Sequence, residues 1–289
     1  MSIFNGIDEI LDNWLGLIGH GNKFGSQKGV PKYKSKKAAI ALSEKGSPLN
    51  GHADNDSVAE VVSACVTKME ENLKGFDLDN IPSSNWEWEK SLHLASHSTS
   101  QEKTLEKLVA FLLDENWMNQ MSVCNGLHSN AGANACRVDL VHRNDTSYDL
   151  IELKYSNKAH GGSDQPLYAA MEILRYGLVY LLFRKLQPLN RKMTASRYHI
   201  MKATQIRLVV LAPSSWYIYK KNGTSQTFNF KWLEKSLTSG LIQAIQDIPT
   251  MKSIEFAFEV MTPKACEQYI ILKNAVDHFR RVKLASKPL

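Results

Sequence analysis

Residues 136–156 read CRVDLVHRNDTSYDLIELKYS, and this stretch decides the fold that the sequence predicts. Two apolar runs lie on either side of residues 144–147, NDTS, which are residue types that favour turns. The pattern predicts a β-hairpin with a longer loop. Because side chains alternate along a strand, Glu152 and Lys154 are expected on one face, with the apolar residues beside them on the other.

The hairpin carries two carboxylates and one ammonium on strands that otherwise have a buried pattern. Asp139 lies within the first run, and Glu152 and Lys154 end the second. If the strands pair, Asp139 can lie beside Glu152. Buried charges are costly unless they are paired or bind a metal. Two carboxylates that hold a divalent cation beside a lysine can cleave phosphodiesters. An ordinary ion pair within the hairpin is the alternative interpretation.

This arrangement resembles the core motif of the PD-(D/E)xK nuclease superfamily, which includes restriction endonucleases and RecB-type exonucleases. Asp139 is followed, after twelve residues, by the triplet Glu152-Leu153-Lys154. The resemblance implies that Asp139 and Glu152 bind Mg²⁺ or Mn²⁺ and that the backbone carbonyl of Leu153 completes the metal shell. It also implies that Lys154 orients or helps to deprotonate the attacking water. Val138 stands where the family usually has a proline.

The same resemblance implies a further carboxylate from the first helix of the nuclease core. The helix predicted before the hairpin offers Glu102 and Glu106, which lie one turn apart. Helical periodicity does not separate residues four apart, because both lie on one face. Glu106 lies deeper in the helix and is the preferred site residue, and Glu102 is the alternative. A solvent-facing role is the other interpretation of either glutamate.

The charge distribution favours a polyanionic partner. The net charge is +6 and the sequence pI is about 9.0. Residues 23–37 contain six lysines and no acidic residue, and a solvated basic loop is the alternative to a phosphate-binding one. Gln165, near a predicted helix start, is expected to contact phosphate or to cap the helix. The lysines expected to contact DNA are Lys32, Lys34, Lys36 and Lys37.

The order of predicted elements indicates an α/β fold. From residue 98 the order is helix, three strands, helix, strand, helix, strand, which predicts a mixed central sheet flanked by helices. This is the order that the resemblance implies for a restriction-endonuclease-like core. We therefore predict a mostly helical N-terminal region with a basic loop over 1–97, and a nuclease-like core over 98–289 with a basic, helical tail. The predicted helices are Ile7–Ile18, Lys37–Leu42, one ending near Leu73, Gln101–Asn116, Gln165–Leu186 and Phe230–Ile248; the strands outside the hairpin are Met121–Leu127, Ile206–Ala212 and Ile254–Met261.

The composition predicts a cytoplasmic protein with no membrane partner. No apolar run approaches the roughly 18–20 residues of a membrane span, and the N-terminus lacks the pattern of a signal peptide. The four cysteines have no close CxxC spacing and are expected to be buried thiols: Cys65, Cys124, Cys136 and Cys266.

These observations predict a Mg²⁺- or Mn²⁺-dependent deoxyribonuclease whose partner is DNA. A role in restriction or phage defence follows by analogy with the superfamily. The alternatives are a non-catalytic nucleic-acid-binding or assembly subunit with a nuclease-like fold, and a hydrolase that acts on RNA. A homodimer or a protein partner is compatible with the sequence.

Overall fold

A computed structural model gives the fold of the chain. It describes residues 2–25, 29–51, 55–77, 84–90, 101–127, 136–155, 165–186, 196–261 and 281–283. The α-helices are α1 Ile7–Trp14, α2 Lys36–Lys45, α3 Asn55–Leu73, α4 Gln101–Leu112, α5 Pro166–Leu186 and α6 Lys231–Ala244. The strands are β1 Trp117–Ser122, β2 Arg137–Asn144, β3 Ser147–Leu153, β4 Gln205–Pro213, β5 Ile218–Lys221, β6 Thr224–Thr227, β7 Ser253–Met261 and β8 Arg281–Lys283.

The architecture is a mixed sheet with helices on both faces, which confirms the predicted α/β class. The strand order is β1-β2-β3-β4-β7-β8. The first three strands form an antiparallel meander, and β4 and β7 continue the sheet in parallel with β3. Residues 208–212 of β4 form a continuous apolar run that is buried on both faces, whereas β7 has Glu255 and Glu259 among its apolar residues.

The helices divide unequally between the two faces of the sheet. The apolar side of α4, which includes Leu105 and Val109, packs on Leu140, Ile151 and strand residues further along the sheet. On the other face α5 and α6 cover the strands, and α3 packs against both of these helices. The N-terminal helices therefore share one hydrophobic core with the sheet.

The hairpin that carries the motif is tighter than predicted. Asn144 pairs with Ser147, so the loop has two residues, Asp145 and Thr146. Asp145 has φ +56°, a left-handed conformation that two-residue hairpins require and that Asp tolerates. Residues predicted to lie in the loop therefore extend the two strands.

Several other elements differ from the prediction. The strand expected at Met121–Leu127 is Trp117–Ser122, because the polar residues Asn119 and Gln120 interrupt the alternation of apolar side chains. A second sheet, formed by β5 and β6, was not predicted. The tail was expected to be helical, but Arg281–Lys283 pairs with β7 as an edge strand; most of the tail lies outside the described residues.

The prediction of buried thiols is wrong for two of the four cysteines. Cys124 and Cys136 form a disulfide with a Cα–Cα distance of 5.6 Å. They follow β1 and precede β2, so the antiparallel pairing of these strands brings them together. Cys65 is a buried free thiol, as expected, and Cys266 lies outside the described residues. Disulfides are typical of oxidising compartments, so this bond does not support the predicted cytoplasmic location. That location stays a prediction.

One described helix is long and apolar enough to cross a membrane by length and composition. This helix is α5, and 83% of its most apolar window is buried inside the protein. It packs against β3 and β4 and against other helices. In this structure α5 is a core helix.

Candidate metal centre and active site

The central carboxylate of the candidate site lies where β2 separates from β3. The paired register of the two strands ends at Leu140 and Ile151. Beyond this pair, the side chain of Asp139 replaces the β2 backbone as the hydrogen-bond acceptor. Its Oδ2 accepts the backbone N–H of Leu153 at 2.9 Å. This bond holds the Asp139 side chain beside the end of β3. It also occupies the N–H of Leu153, and the role of the Leu153 carbonyl as a metal ligand stays a prediction.

Both glutamates of α4 reach this point. Glu106 is 1% exposed, and Glu102 accepts the backbone N–H of Tyr155 at 2.9 Å. Carboxylate oxygens of Glu102, Glu106 and Asp139 lie within 4.8 Å of one another. Hard oxygen atoms at such spacing are suited to a divalent cation. Helical periodicity left a choice between the two glutamates, and the structure brings both to Asp139.

Gln120 is a site residue that the sequence analysis missed. Its side-chain amide donates to Glu106 at 2.5 Å and lies 3.4 Å from Asp139 Oδ1. Its backbone has φ +54°, which non-glycine residues adopt at a cost in free energy and often near functional sites. A glutamine inside a strand gives no sequence signal for this role, because only the pairing of β1 with β2 brings it between the two carboxylates.

The second half of the motif forms an ion pair. Lys154 Nζ lies 2.5 Å from Glu152 Oε1 and 3.6 Å from Glu172 Oε2. Glu152 and Lys154 are both buried. Glu172 comes from α5 and was not predicted, yet it had a signal in the sequence: it is the single acidic residue of that apolar helix. Lys154 therefore links the end of β3 to α5.

Burial controls the protonation of the carboxylates. It raises the pKa of Asp139 and of Glu152 well above their ordinary values, and neighbouring carboxylates add to the effect. Burial, opposed by the Gln120 hydrogen bond and reinforced by Glu102 and Glu152, raises the pKa of Glu106 to about 8. The site would accept a cation readily, because a positive charge relieves this repulsion.

Neighbouring charges, and not burial, control the protonation of Lys154. Burial by itself lowers the pKa of Lys154, but Glu152, Asp139 and Glu172 together raise it well above the ordinary value. Lys154 is therefore protonated at neutral pH. Its charge offsets part of the negative charge that the carboxylates of the site would carry.

The lysine-rich segment lies on the surface of the same helix, α5, that carries Glu172. Asp12 accepts the backbone N–H groups of Lys32 and Tyr33 at 2.7 and 2.8 Å, which holds the segment in place. Tyr33 stacks on Tyr168 of α5, and the ammonium of Lys34 lies 4.5 Å from the centre of the Tyr168 ring. The segment is thus one helical turn from Glu172.

The four lysines of this segment that are expected to contact DNA differ in exposure. Lys36 and Lys37 are exposed at the start of α2, and Lys34 is half-buried. Lys32 is half-buried, and its ammonium donates to the Gly21 carbonyl at 2.9 Å. The two exposed lysines add positive charge to a helix N-terminus, where the helix dipole disfavours it. A bound anion would compensate the charges of the two lysines and the positive end of the helix dipole.

Gln165 lies in the interior, which corrects the expectation that it contacts phosphate. Its side-chain oxygen accepts the N–H of Leu167 at 2.8 Å, which caps α5 immediately before Pro166. Its amide nitrogen donates to the Tyr33 carbonyl at 2.7 Å. Gln165 is 4% exposed, so it joins the lysine-rich segment to α5 and has no surface for a ligand.

Comparison of the chain with protein-family models, curated proteins and solved structures finds no match. The resemblance to PD-(D/E)xK nucleases therefore depends on the sequence motif and the element order, and it stays a prediction.

The raised pKa values predict how stability depends on pH. The pKa of Glu106 is about 8 in the folded protein against an ordinary 4.5, so the folded state holds this proton more tightly than the unfolded chain. Its contribution to stability is full below about pH 4.5 and is lost as pH rises through about 8. In EDTA we expect Tm to fall by a few degrees between about pH 5 and 8, and to fall less in Glu106→Gln. Calorimetry measures both slopes.

Glu115→Gln is the matched control for this experiment because Glu115 is exposed just after α4. It should keep the slope of the unmodified protein. Excess Mg²⁺ should raise Tm most at about pH 8, where metal binding opposes the repulsion among ionised carboxylates. Equal slopes of Tm against pH in Glu106→Gln and the unmodified protein would contradict the raised pKa of Glu106.

Proposed function

We propose that this protein is a metal-dependent nuclease that hydrolyses phosphodiester bonds in DNA. The observation that carries the proposal is the cluster of Glu102, Glu106 and Asp139, whose oxygens lie within 4.8 Å of one another. The Glu152–Lys154 pair lies at the end of the adjacent strand. Ionised carboxylates clustered at such a place repel one another, and a bound cation would relieve that repulsion.

The residues divide into a metal-binding group and a charged partner. Asp139, with Glu106 and Glu102, would hold Mg²⁺ or Mn²⁺, and the resemblance adds Glu152 and the Leu153 carbonyl. The cation, when bound, supplies polarisation of a phosphate oxygen and a water of lowered pKa. Mg²⁺ or Mn²⁺ is the proposed ion because both accept carboxylate oxygen ligands, as the resemblance also implies.

Lys154 has a more restricted role than the sequence indicated. Since its pKa is raised well above the ordinary value, its ammonium keeps its proton at neutral pH. The proposal therefore assigns Lys154 to orienting the attacking water and to offsetting the charge that develops on the phosphate. Removal of a proton from the water falls to the carboxylates or to solvent.

The substrate is proposed from the charges around the site. The ammonium of Lys34 lies over the Tyr168 ring of α5, the helix that carries Glu172 of the site, and Lys36 and Lys37 are exposed at the start of α2. Lysine ammonium groups on one surface fit the phosphate backbone of a nucleic acid. Restriction or phage defence is the proposed biological role, by analogy with the superfamily.

A non-catalytic nucleic-acid-binding or assembly subunit is the second candidate. It is favoured by the close ion pairs of Lys154 with Glu152 and Glu172, at 2.5 and 3.6 Å. These pairs satisfy the lysine within the protein, as a structural role requires. The two candidates differ in whether the carboxylates and the lysine affect a reaction rate.

The first prediction of the nuclease proposal concerns Asp139. Asp139→Asn keeps the shape of the side chain but removes the charge that binds the cation. Cleavage of supercoiled and linear DNA in Mg²⁺ or Mn²⁺ should fall by about 10² or more, and EDTA should abolish cleavage by the unmodified protein. Asp247→Asn, at an exposed position on the surface, should cleave normally. Equal, EDTA-sensitive cleavage by Asp139→Asn would overturn the proposed metal centre.

A second prediction separates an enzyme from a binding module. Lys154→Met should leave DNA affinity in Ca²⁺ nearly unchanged and lower the single-turnover cleavage rate by about 10² or more, because an interaction made in the transition state contributes little to ground-state binding. Lys235→Met, an exposed lysine of α6, is the control. A rate within about threefold of normal would leave Lys154 as a structural ion-pair partner.

The third prediction tests the DNA-binding surface. The variant with Lys32, Lys34, Lys36 and Lys37 all changed to Gln should bind DNA more weakly. On duplex DNA, the slope of log K against log[salt] should become shallower by about 0.9 for each phosphate that the variant no longer neutralises. The matched control also removes four positive charges, at the exposed positions Lys220, Lys231, Lys235 and Lys252. Equal slopes for the two variants would show that the lysine-rich segment is not the DNA-binding surface.

A further inference from the structure

A polar cavity lies at the opposite end of the β2–β3 hairpin from the acidic cluster. It has a volume of about 370 Å³, and its wall includes Arg143 next to the hairpin turn and Tyr148 at the start of β3. Tyr148 precedes Glu152 by four residues of the same strand, so the cavity is about 13 Å from the candidate active site along β3. It is therefore a separate place on the molecule.

The guanidinium of Arg143 is held in this cavity by neutral groups. Its Nε and one terminal nitrogen both donate to Asn116 Oδ1, at 3.1 and 2.9 Å. The other terminal nitrogen lies 3.4 Å from His199 Nε2, and the Trp88 ring packs 5.5 Å from the guanidinium carbon. Within the described part of the chain, these hydrogen-bond partners of Arg143 do not include a carboxylate. Arg143 is thus a positioned, half-buried positive charge.

The contact with Arg143 indicates which tautomer the neighbouring histidine adopts. Arg143 can only donate, so His199 Nε2 must accept and the proton of the neutral ring lies on Nδ1. Nδ1 then donates to the Tyr148 hydroxyl oxygen, at 2.8 Å. Burial and the charge of Arg143 lower the pKa of His199, which keeps the ring neutral. The hydroxyl hydrogen of Tyr148 is consequently available to another acceptor.

The other polar groups of the wall are also mainly donors. Asn116 uses its carbonyl oxygen for Arg143, which leaves its amide N–H groups to face other partners. The ammonium of Lys202 is on the exposed rim. Asp145 is the carboxylate of this wall, and it lies in the exposed hairpin turn. The described cavity therefore presents two cations and several N–H or O–H donors against one solvated carboxylate.

From this geometry we infer that the cavity binds a phosphate group. Arg143 offers a rigid guanidinium edge, Lys202 a mobile ammonium, and Tyr148 a hydroxyl donor, which together match the oxygens of a tetrahedral anion. The Trp88 ring keeps the guanidinium in place. The phosphate has two possible sources: a small molecule such as a nucleoside monophosphate, or the terminal phosphate of a nucleic acid. This site does not depend on the proposed nuclease function.

The test uses the full chain in EDTA, so that the acidic cluster takes no part. Isothermal titration with inorganic phosphate, with AMP, and with an oligonucleotide carrying or lacking a 5′-phosphate gives the affinity for each source. We expect saturable binding of a phosphate-bearing probe at one site. Arg143→Gln and Lys202→Gln should each weaken that binding by about tenfold or more, because each variant removes charge-assisted hydrogen bonds. Lys220→Gln, an exposed lysine of β5, should bind normally.

Further variants protect the test from a folding defect and identify the source of the phosphate. Tyr148→Phe removes one hydroxyl, and Lys202 is exposed, so these variants decide the outcome if Arg143→Gln fails to fold in circular dichroism. Binding that requires the 5′-phosphate of the oligonucleotide would identify a nucleic-acid end, and binding of phosphate and AMP by themselves a small molecule. The inference would be overturned if no probe shows saturable binding. It would also be overturned if Arg143→Gln binds as the unmodified protein does, or if Lys202→Gln and Tyr148→Phe both do. Asp139→Asn should bind phosphate normally, which separates this test from that of the nuclease.

Discussion

The carboxylate of Asp139 is the point on which the candidate site depends. It replaces a backbone acceptor at the place where β2 leaves β3, and it also lies within reach of Glu106 and Gln120. A carboxylate at this position would be repelled by its neighbours if all were ionised, and burial increases that cost. The protein limits the cost with donated N–H groups, with the ammonium of Lys154 and with raised pKa values. A divalent cation would remove most of it.

The rest of the structure supports this cluster from two sides. The helix α4 delivers Glu102 and Glu106 because its apolar side is anchored on the sheet. On the other side, α5 supplies Glu172 to Lys154 and supports the lysine-rich segment through Tyr168. Gln165 joins the lysine-rich segment to α5, because it caps α5 and donates to the Tyr33 carbonyl. The helix α5 thus contacts both the lysine-rich segment and the ion pair of Lys154.

Local sequence patterns predicted the elements well where apolar residues repeat regularly. The stripe of α4, the long apolar helix α5 and the strands β4 and β7 all form close to their expected positions. The prediction was wrong where tertiary contacts override the pattern. β1 contains the buried Asn119, which pairs with Leu140, and the half-buried Gln120, which joins the site, so its side chains do not alternate as a strand pattern requires. The Cys124–Cys136 bond likewise depends on strand pairing and has no local signature.

The sequence by itself determined the order of the main core elements α4, β1, β2, β3, α5, β4, α6 and β7. It also determined the presence of Asp139, Glu152 and Lys154 on one hairpin and of two candidate carboxylates on the preceding helix. These features are local, because periodicities of two and 3.6 residues specify which face of an element is apolar. Only the tertiary structure decided that both α4 glutamates meet Asp139, that Gln120 and Glu172 join the site, and that Gln165 is buried. Those outcomes depend on which elements lie side by side, and contacts between residues far apart in sequence are set by packing of the whole core rather than by any short pattern.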